Sequence, residues 1–117
     1  MDELEDQYSK WKGQLNRGLI EFVTLLLLRK ERHGYDILQL IRANIPVAEE
    51  IADGPIYALL SRLKHRGFLS SKLLQKQGKN RRYFSLTSSG VNLLQKMLQD
   101  WEIITSAIGE FQDISES

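Results

Sequence analysis

The chain has 117 residues, 42% of them hydrophobic and 26% charged, with no cysteine and a formal net charge of +1. That is one domain's worth of soluble globular sequence, and the absent thiols exclude a disulfide framework, a cysteine nucleophile and a Cys-based zinc site. The small net charge conceals a division: residues 10–90 hold fifteen Lys/Arg against six Asp/Glu, a net of +9, between two ends that each carry −4.

Residues 1–13 form an acidic extension whose opening, Met-Asp-Glu-Leu-Glu-Asp, has the wrong sign for a signal or transit peptide, so a cytoplasmic location is expected. Leu4, Tyr8 and Trp11, four and three residues apart, suggest a short helix there. Leu15 to Arg29 is apolar nearly all round, through Leu15, Leu19, Phe22 and Leu26. Such a helix must be buried on more than one side, as a central core helix or one shared with a second subunit. Its longest apolar run, Phe22 to Leu28 broken by Thr24, is far too short to span a bilayer, and no membrane partner is expected. His33-Gly34 breaks the pattern. Tyr35 to Ile45 then repeats Ile37, Leu38, Ile41 and Ile45, a one-sided helix stopped by Pro46. The linker from Val47 to Ala52, with Glu49-Glu50, reads as solvated.

Asp53 is a good N-cap, and Gly54-Pro55 sit where a first turn tolerates proline. Ile56, Leu59, Leu60 and Leu63 define one buried face, and Gly67 ends the helix. Phe68 to Gln75 and Arg81 to Leu86 read as two strands joined by a Gln77-Gly78-Lys79-Asn80 turn. Thr87 is the expected N-cap of a last helix reaching at least Phe111. The fold expected is mainly α with a small β-hairpin. It comprises a winged helix-turn-helix over residues 14–87 and a long C-terminal dimerisation helix over 88–117.

The outward residues carry the function. With the apolar face inward, Gly54, Ala58, Ser61, Arg62 and His65 point away from the core, flanked by Pro55, Tyr57 and Lys64. Small residues at the start of such a helix allow close approach to base edges in double-stranded DNA, and Arg62 and Lys64 suit phosphates or a guanine edge. An ordinary solvated face is the competing reading. Lys76, Lys79, Arg81 and Arg82, with Asn80, cluster around the hairpin turn and suit backbone contact or minor-groove insertion. Charged hairpin tips also serve as plain edge protection.

In the last helix Leu94, Met97, Trp101, Ile104, Ile108 and Phe111 recur at alternating spacings of three and four, a heptad seam. A chain this small has little left to cover so long a stripe, so a homodimer is expected. Two copies would set two recognition helices about one DNA turn apart on a palindromic operator. Folding back onto the first helix is the alternative. Catalysis is not expected: His33 and His65 are the only histidines, and no metal-ligand spacing, phosphate loop or serine nucleophile motif is present. No cofactor is implied. A winged-helix module binding protein instead of DNA is the competing function.

Arg17-Gly18, His33-Gly34-Tyr35-Asp36-Ile37, Gly54-Pro-Ile-Tyr57 through Ser61-Arg-Leu63 to Gly67, and Arg82-Tyr83-Phe84 with Leu86-Thr87 and Gly90 together resemble the PadR-like transcriptional regulators. These marks cover roughly residues 14–105, and the short C-terminal part is similar to the subfamily with a single dimerising helix. The resemblance implies a dimeric repressor of inverted-repeat operators, with Arg17 on the DNA backbone and Tyr57 facing DNA. It departs at Pro55, where the family commonly has threonine, so a hydroxyl for capping or for a phosphate is missing there. The resemblance also implies a cavity between subunits in which Trp101, with Met97 beside it, stacks on a small planar aromatic ligand. The plainer reading of Trp101 is a seam residue filling the interface.

Overall fold

The computed structural model describes residues 2–45 and 53–116. Its elements run α1 (Glu3–Leu27), β1 (Arg32–His33), α2 (Gly34–Asn44), α3 (Asp53–His65), β2 (Leu69–Lys76), β3 (Lys79–Leu86) and α4 (Ser88–Glu116). The expected stop at Pro46, the solvated linker Val47–Ala52 and the capping role of the Asp53 side chain lie outside the described residues.

α1 is one continuous helix, so the expected boundary between residues 13 and 14 falls inside an element. Asp2 caps it, accepting the Glu5 amide at 2.8 Å, and Glu3, Glu5 and Asp6 sit favourably at its positive end. A glycine inside a helix costs only about 1 kcal/mol against alanine. Gly13 and Gly18 therefore weaken this 25-residue helix without dividing it.

The core gathers Ile20, Phe22, Leu25 and Leu28 from α1, Ile37, Leu38 and Ile41 from α2, and the expected face of α3, Ile56, Leu59, Leu60 and Leu63. Leu69, Phe84 and Leu94 close it. α3 ends in a Schellman turn: the Phe68 amide donates to the Leu63 carbonyl at 2.9 Å and the Gly67 amide to Lys64 at 3.0 Å, with Gly67 at φ +87°. Thr87 then ties two helices together. Its hydroxyl donates to the Gly67 carbonyl at 2.6 Å and accepts the Gly90 amide at 3.1 Å, capping α4 against the end of α3.

The sheet has three antiparallel strands in the order β1-β3-β2, one more than the expected hairpin. β1 pairs Arg32 with Phe84 and His33 with Tyr83. Two residues are too few to show a period, which is why no strand is legible there. In the hairpin Lys76 pairs with Lys79, leaving a turn of Gln77 and Gly78 alone, at φ 53° and 75°. Two positive φ angles are what a tight two-residue hairpin turn requires. Lys79 and Asn80 consequently belong to β3, not to the turn.

The expected seam of α4 divides. Leu94 is only 4% exposed and belongs to this chain's own core, so it is not available to a second subunit. Met97 is partly buried against the same cluster. Beyond it Ile104, Ile108 and Phe111 are exposed, joined by Ile103 and Ile114. The molecule measures 57 × 36 × 24 Å with a radius of gyration of 16.8 Å, against about 13 Å for a compact chain of this length. An α4 of 29 residues, whose far half is exposed, accounts for much of that excess.

Candidate nucleic-acid interface

Every outward residue expected on α3, Gly54, Pro55, Tyr57, Ala58, Ser61, Arg62, Lys64 and His65, is exposed, while the four apolar residues between them are buried. The small side chains of Gly54, Ala58 and Ser61 leave one side of the helix free of bulk, and Arg62 and Lys64 supply cations toward its end. Tyr57 lies against the first turn of α2: a Cβ added to Gly34 would come within 2.6 Å of the Tyr57 ring. The glycine thus lets α2 and α3 approach with an aromatic ring between them, and Tyr57 still keeps 44% of its surface.

The hairpin places Lys76, Lys79, Asn80, Arg81 and Arg82 on two paired strands. Lys76 Nζ sits 4.5 Å from the centre of the Tyr83 ring. Arg82 donates to Ser71 Oγ at 3.0 Å across the ladder. Lys72 is drawn toward the body by Glu31, at 3.1 Å. Arg17 is exposed but lies in the middle of α1, not at the start of a helix, because α1 runs back to Glu3.

Arg81 has the most informative environment. Its Nη1 lies 3.1 Å from His33 Nε2 and 3.5 Å from Nδ1. His33 caps α2, and the Asp36 amide approaches its Nδ1 at 3.2 Å. Two donors therefore face a ring that, when neutral, has one lone-pair nitrogen and can fully satisfy only one of them. Burial holds the imidazole below its ordinary pKa; the Arg81 charge adds to this, Asp36 opposes it and Lys76 adds a little more. The Tyr83 ring meets His33 edge-on at 5.3 Å. Arg32 completes the joint, donating to the Leu27 carbonyl at 2.8 Å and pairing with Asp36 at 3.1 Å. His33 and Tyr35 are not among the residues singled out for DNA from the sequence. The local signal is the His-Gly-Tyr stretch between two helical patterns, which reads as a helix boundary and as a mark of the family resemblance but assigns neither residue to DNA.

Between the start of α2, α3 and β3 a hollow of about 470 Å³ opens, lined by His33, Tyr35, Tyr57, Arg81, Arg82 and Phe84. A second hollow, about 390 Å³, runs between α1 and α4 and is lined by Leu15, Leu19, Phe22, Met97, Trp101 and Ile104, among others. Trp101 is 40% exposed and tilts over Phe22 with ring centres 5.4 Å apart. Among the described residues no helix is long and apolar enough to cross a membrane, and no group of three or more His, Cys, Asp or Glu is placed to hold a metal ion.

Comparison with known proteins agrees with this geometry. Residues 23–96 match the transcriptional regulator PadR-like family. A protein of Streptococcus mutans is 32% identical and superposes with a TM-score of 0.70, covering 77% of this chain and 82% of that one. A PadR family transcriptional regulator from Eggerthella lenta is 25% identical with a TM-score of 0.76, over 92% and 94% of the two chains. A PadR family transcription regulator from Clostridium difficile is 26% identical with a TM-score of 0.70, over 79% and 96%. The family match takes in α2, the basic helix and the hairpin in one stretch, so the chain belongs to the PadR-like family of DNA-binding transcriptional regulators and is not an enzyme.

Proposed function

We propose that this protein is a homodimeric repressor that reads a palindromic operator in double-stranded DNA with α3 and steadies itself on the backbone with the wing. The observation that carries this reading is the division of α3, with an apolar face wholly in the core and a face of small and basic residues wholly outside. A solvated helix has no need to keep its exposed side free of acid from Gly54 to His65, with small residues at Gly54, Ala58 and Ser61. The exposed Ile104, Ile108 and Phe111 support a second copy along α4, and Trp101 with Met97 supports a planar aromatic effector in the α1–α4 groove. Such an effector would act by altering how the two DNA-binding halves are spaced. A regulator of this kind works in the cytoplasm, where its DNA lies.

The test is binding of the purified protein to the duplex upstream of its own gene, against a scrambled duplex of equal length at near-physiological salt. A preference of about a thousandfold is expected for a specific regulator; equal weak binding to both would leave a general basic surface. For the effector, acridine should quench tryptophan fluorescence saturably in the native protein and in Trp11→Phe but not in Trp101→Ala. Saturable quenching that survives the loss of Trp101 would remove the effector site.

A further inference from the structure

The hollow at the start of α2 joins two residues that the winged-helix reading leaves unused, His33 and Tyr35, to three that it already turns toward DNA. One wall is aromatic, from Tyr35 and Tyr57, and the other is cationic, from Arg81 and Arg82. Tyr35 is half exposed although it opens a core helix. Behind them stands His33, whose ring is shared between the Asp36 amide and the Arg81 guanidinium.

We propose that this hollow is the seat of one phosphate of the DNA backbone, with Tyr35 and Arg82 as ligands and Arg81 passing from His33 to the phosphate when it is filled. The inference rests on the DNA-binding reading and adds to it a location, two residues and an order of events. A neutral imidazole cannot accept from both donors, so its hold on Arg81 is bought against the cap of α2. A phosphodiester oxygen offers Arg81 a charged acceptor without that competition. Once Arg81 leaves, Nδ1 is free to accept the Asp36 amide in full and Nε2 carries the proton, facing the hollow as a donor. In the neutral ring the handover therefore improves both hydrogen bonds; an imidazolium gives up the one from the Asp36 amide.

Charge around the ring gives the proposal its signature. His33 is faced by Arg81 and Tyr83 from β3, Lys76 from β2 and Asp36 from α2, with Arg32 of β1 bound to that same Asp36; Lys79 lies outside the seat, in a separate hollow that His33 also lines. In the free protein burial and the neighbouring cations disfavour an imidazolium. A phosphate in the seat places a negative charge within a few ångströms of the ring and favours it. That charge raises the midpoint of His33 when DNA binds, against the loss of the Asp36 amide bond that protonating Nδ1 entails. By linkage the affinity for DNA increases as pH falls through the His33 titration.

The experiment is an NMR titration of the full chain, following the imidazole signals with and without a duplex of random sequence. The chain has two histidines, and His65→Gln assigns them. His33 should titrate higher in the presence of duplex, and Tyr35→Phe should bind the duplex about three- to tenfold more weakly with an unchanged salt slope, since it loses a neutral donor. A His33 midpoint that stays put, or a Tyr35→Phe affinity equal to native, overturns the seat while leaving DNA binding itself intact. Native protein that does not bind duplex overturns both. Inorganic phosphate at equal phosphate concentration separates the two sources of this chemistry: a shift as large with the free anion as with the duplex would overturn the assignment to the DNA backbone.

Discussion

Gly90 and Gly13 are the same amino acid in the interior of two helices, yet opposite forces act on them. A Cβ at Gly90 would overlap the Phe68 carbonyl oxygen, a backbone atom that is itself bonded to the Thr87 amide at 3.1 Å and cannot withdraw cheaply. Nothing lies within 4 Å of the corresponding position at Gly13. Gly90→Ala should therefore cost about 1–3 kcal/mol through overpacking, whereas Gly13→Ala should gain about 0.5–1 kcal/mol by restricting the unfolded chain. Urea unfolding of the two variants checks both signs, and a neutral Gly90→Ala would mean that α4 slides freely against the end of α3. His33 sets a second expectation, for pH. Its folded pKa is lowered, so between that value and the ordinary imidazole value of about 6.5 the unfolded chain binds more protons than the folded one. Stability must rise with pH through that window and level off above it, where both states are neutral. In His33→Gln this portion of the pH dependence should disappear; if it persisted unchanged, another group would be responsible.

At the scale of elements, what the sequence discloses depends on how many sides an element buries. α3 is buried on one face only, so Ile56, Leu59, Leu60 and Leu63 write its orientation in the spacing, and the exposed residues follow by subtraction. β1 has no such record: Arg32 and His33 become a strand because Tyr83 and Phe84 present an unpaired edge beside them. The boundary expected between residues 13 and 14 leaves no break in α1, because helix continuity is decided over many residues. The α4 seam was legible as a stripe but not as two stripes, since Leu94 facing its own core and Phe111 facing outward obey the same heptad spacing. The outward residues of α3 were thus readable one by one. The joint that relates them, His33 to Arg81 across 48 residues of sequence, was not. The wing adds its own test. Gln77 holds a left-handed backbone at φ 53°, where asparagine is the better non-glycine residue. Gln77→Asn should stabilise the hairpin by up to about 1 kcal/mol, seen as a higher urea midpoint; a lower one would show that the Gln77 side chain, not its backbone, matters to the turn.

For the whole molecule, charge and shape point the same way. The basic middle of the chain contains α3 and the wing, while the acids concentrate at the first turns of α1 and along the far half of α4. Basic charge gathered on α3 and the wing favours encounter with a polyanion through those elements over random collision. The far half of α4 nevertheless exposes Ile103, Ile104, Ile108, Phe111 and Ile114 on a helix that outruns its own core. A contiguous apolar stripe of that kind normally marks a protein interface. Ile108→Asp with Phe111→Asp places two charges there without touching the core cluster. The double variant should keep the native circular dichroism and urea midpoint of its core but lose the dimeric mass by light scattering. Its affinity for a two-half-site operator should fall by about a hundredfold or more, because each half-site must then be bound separately, while its affinity for a single half-site should not change. A variant that stays dimeric would place the interface elsewhere, on the exposed Leu4, Tyr8 and Trp11 of α1 or beyond. A monomeric variant that still binds the full operator as tightly as native protein would show that pairing through α4 plays no part in recognition.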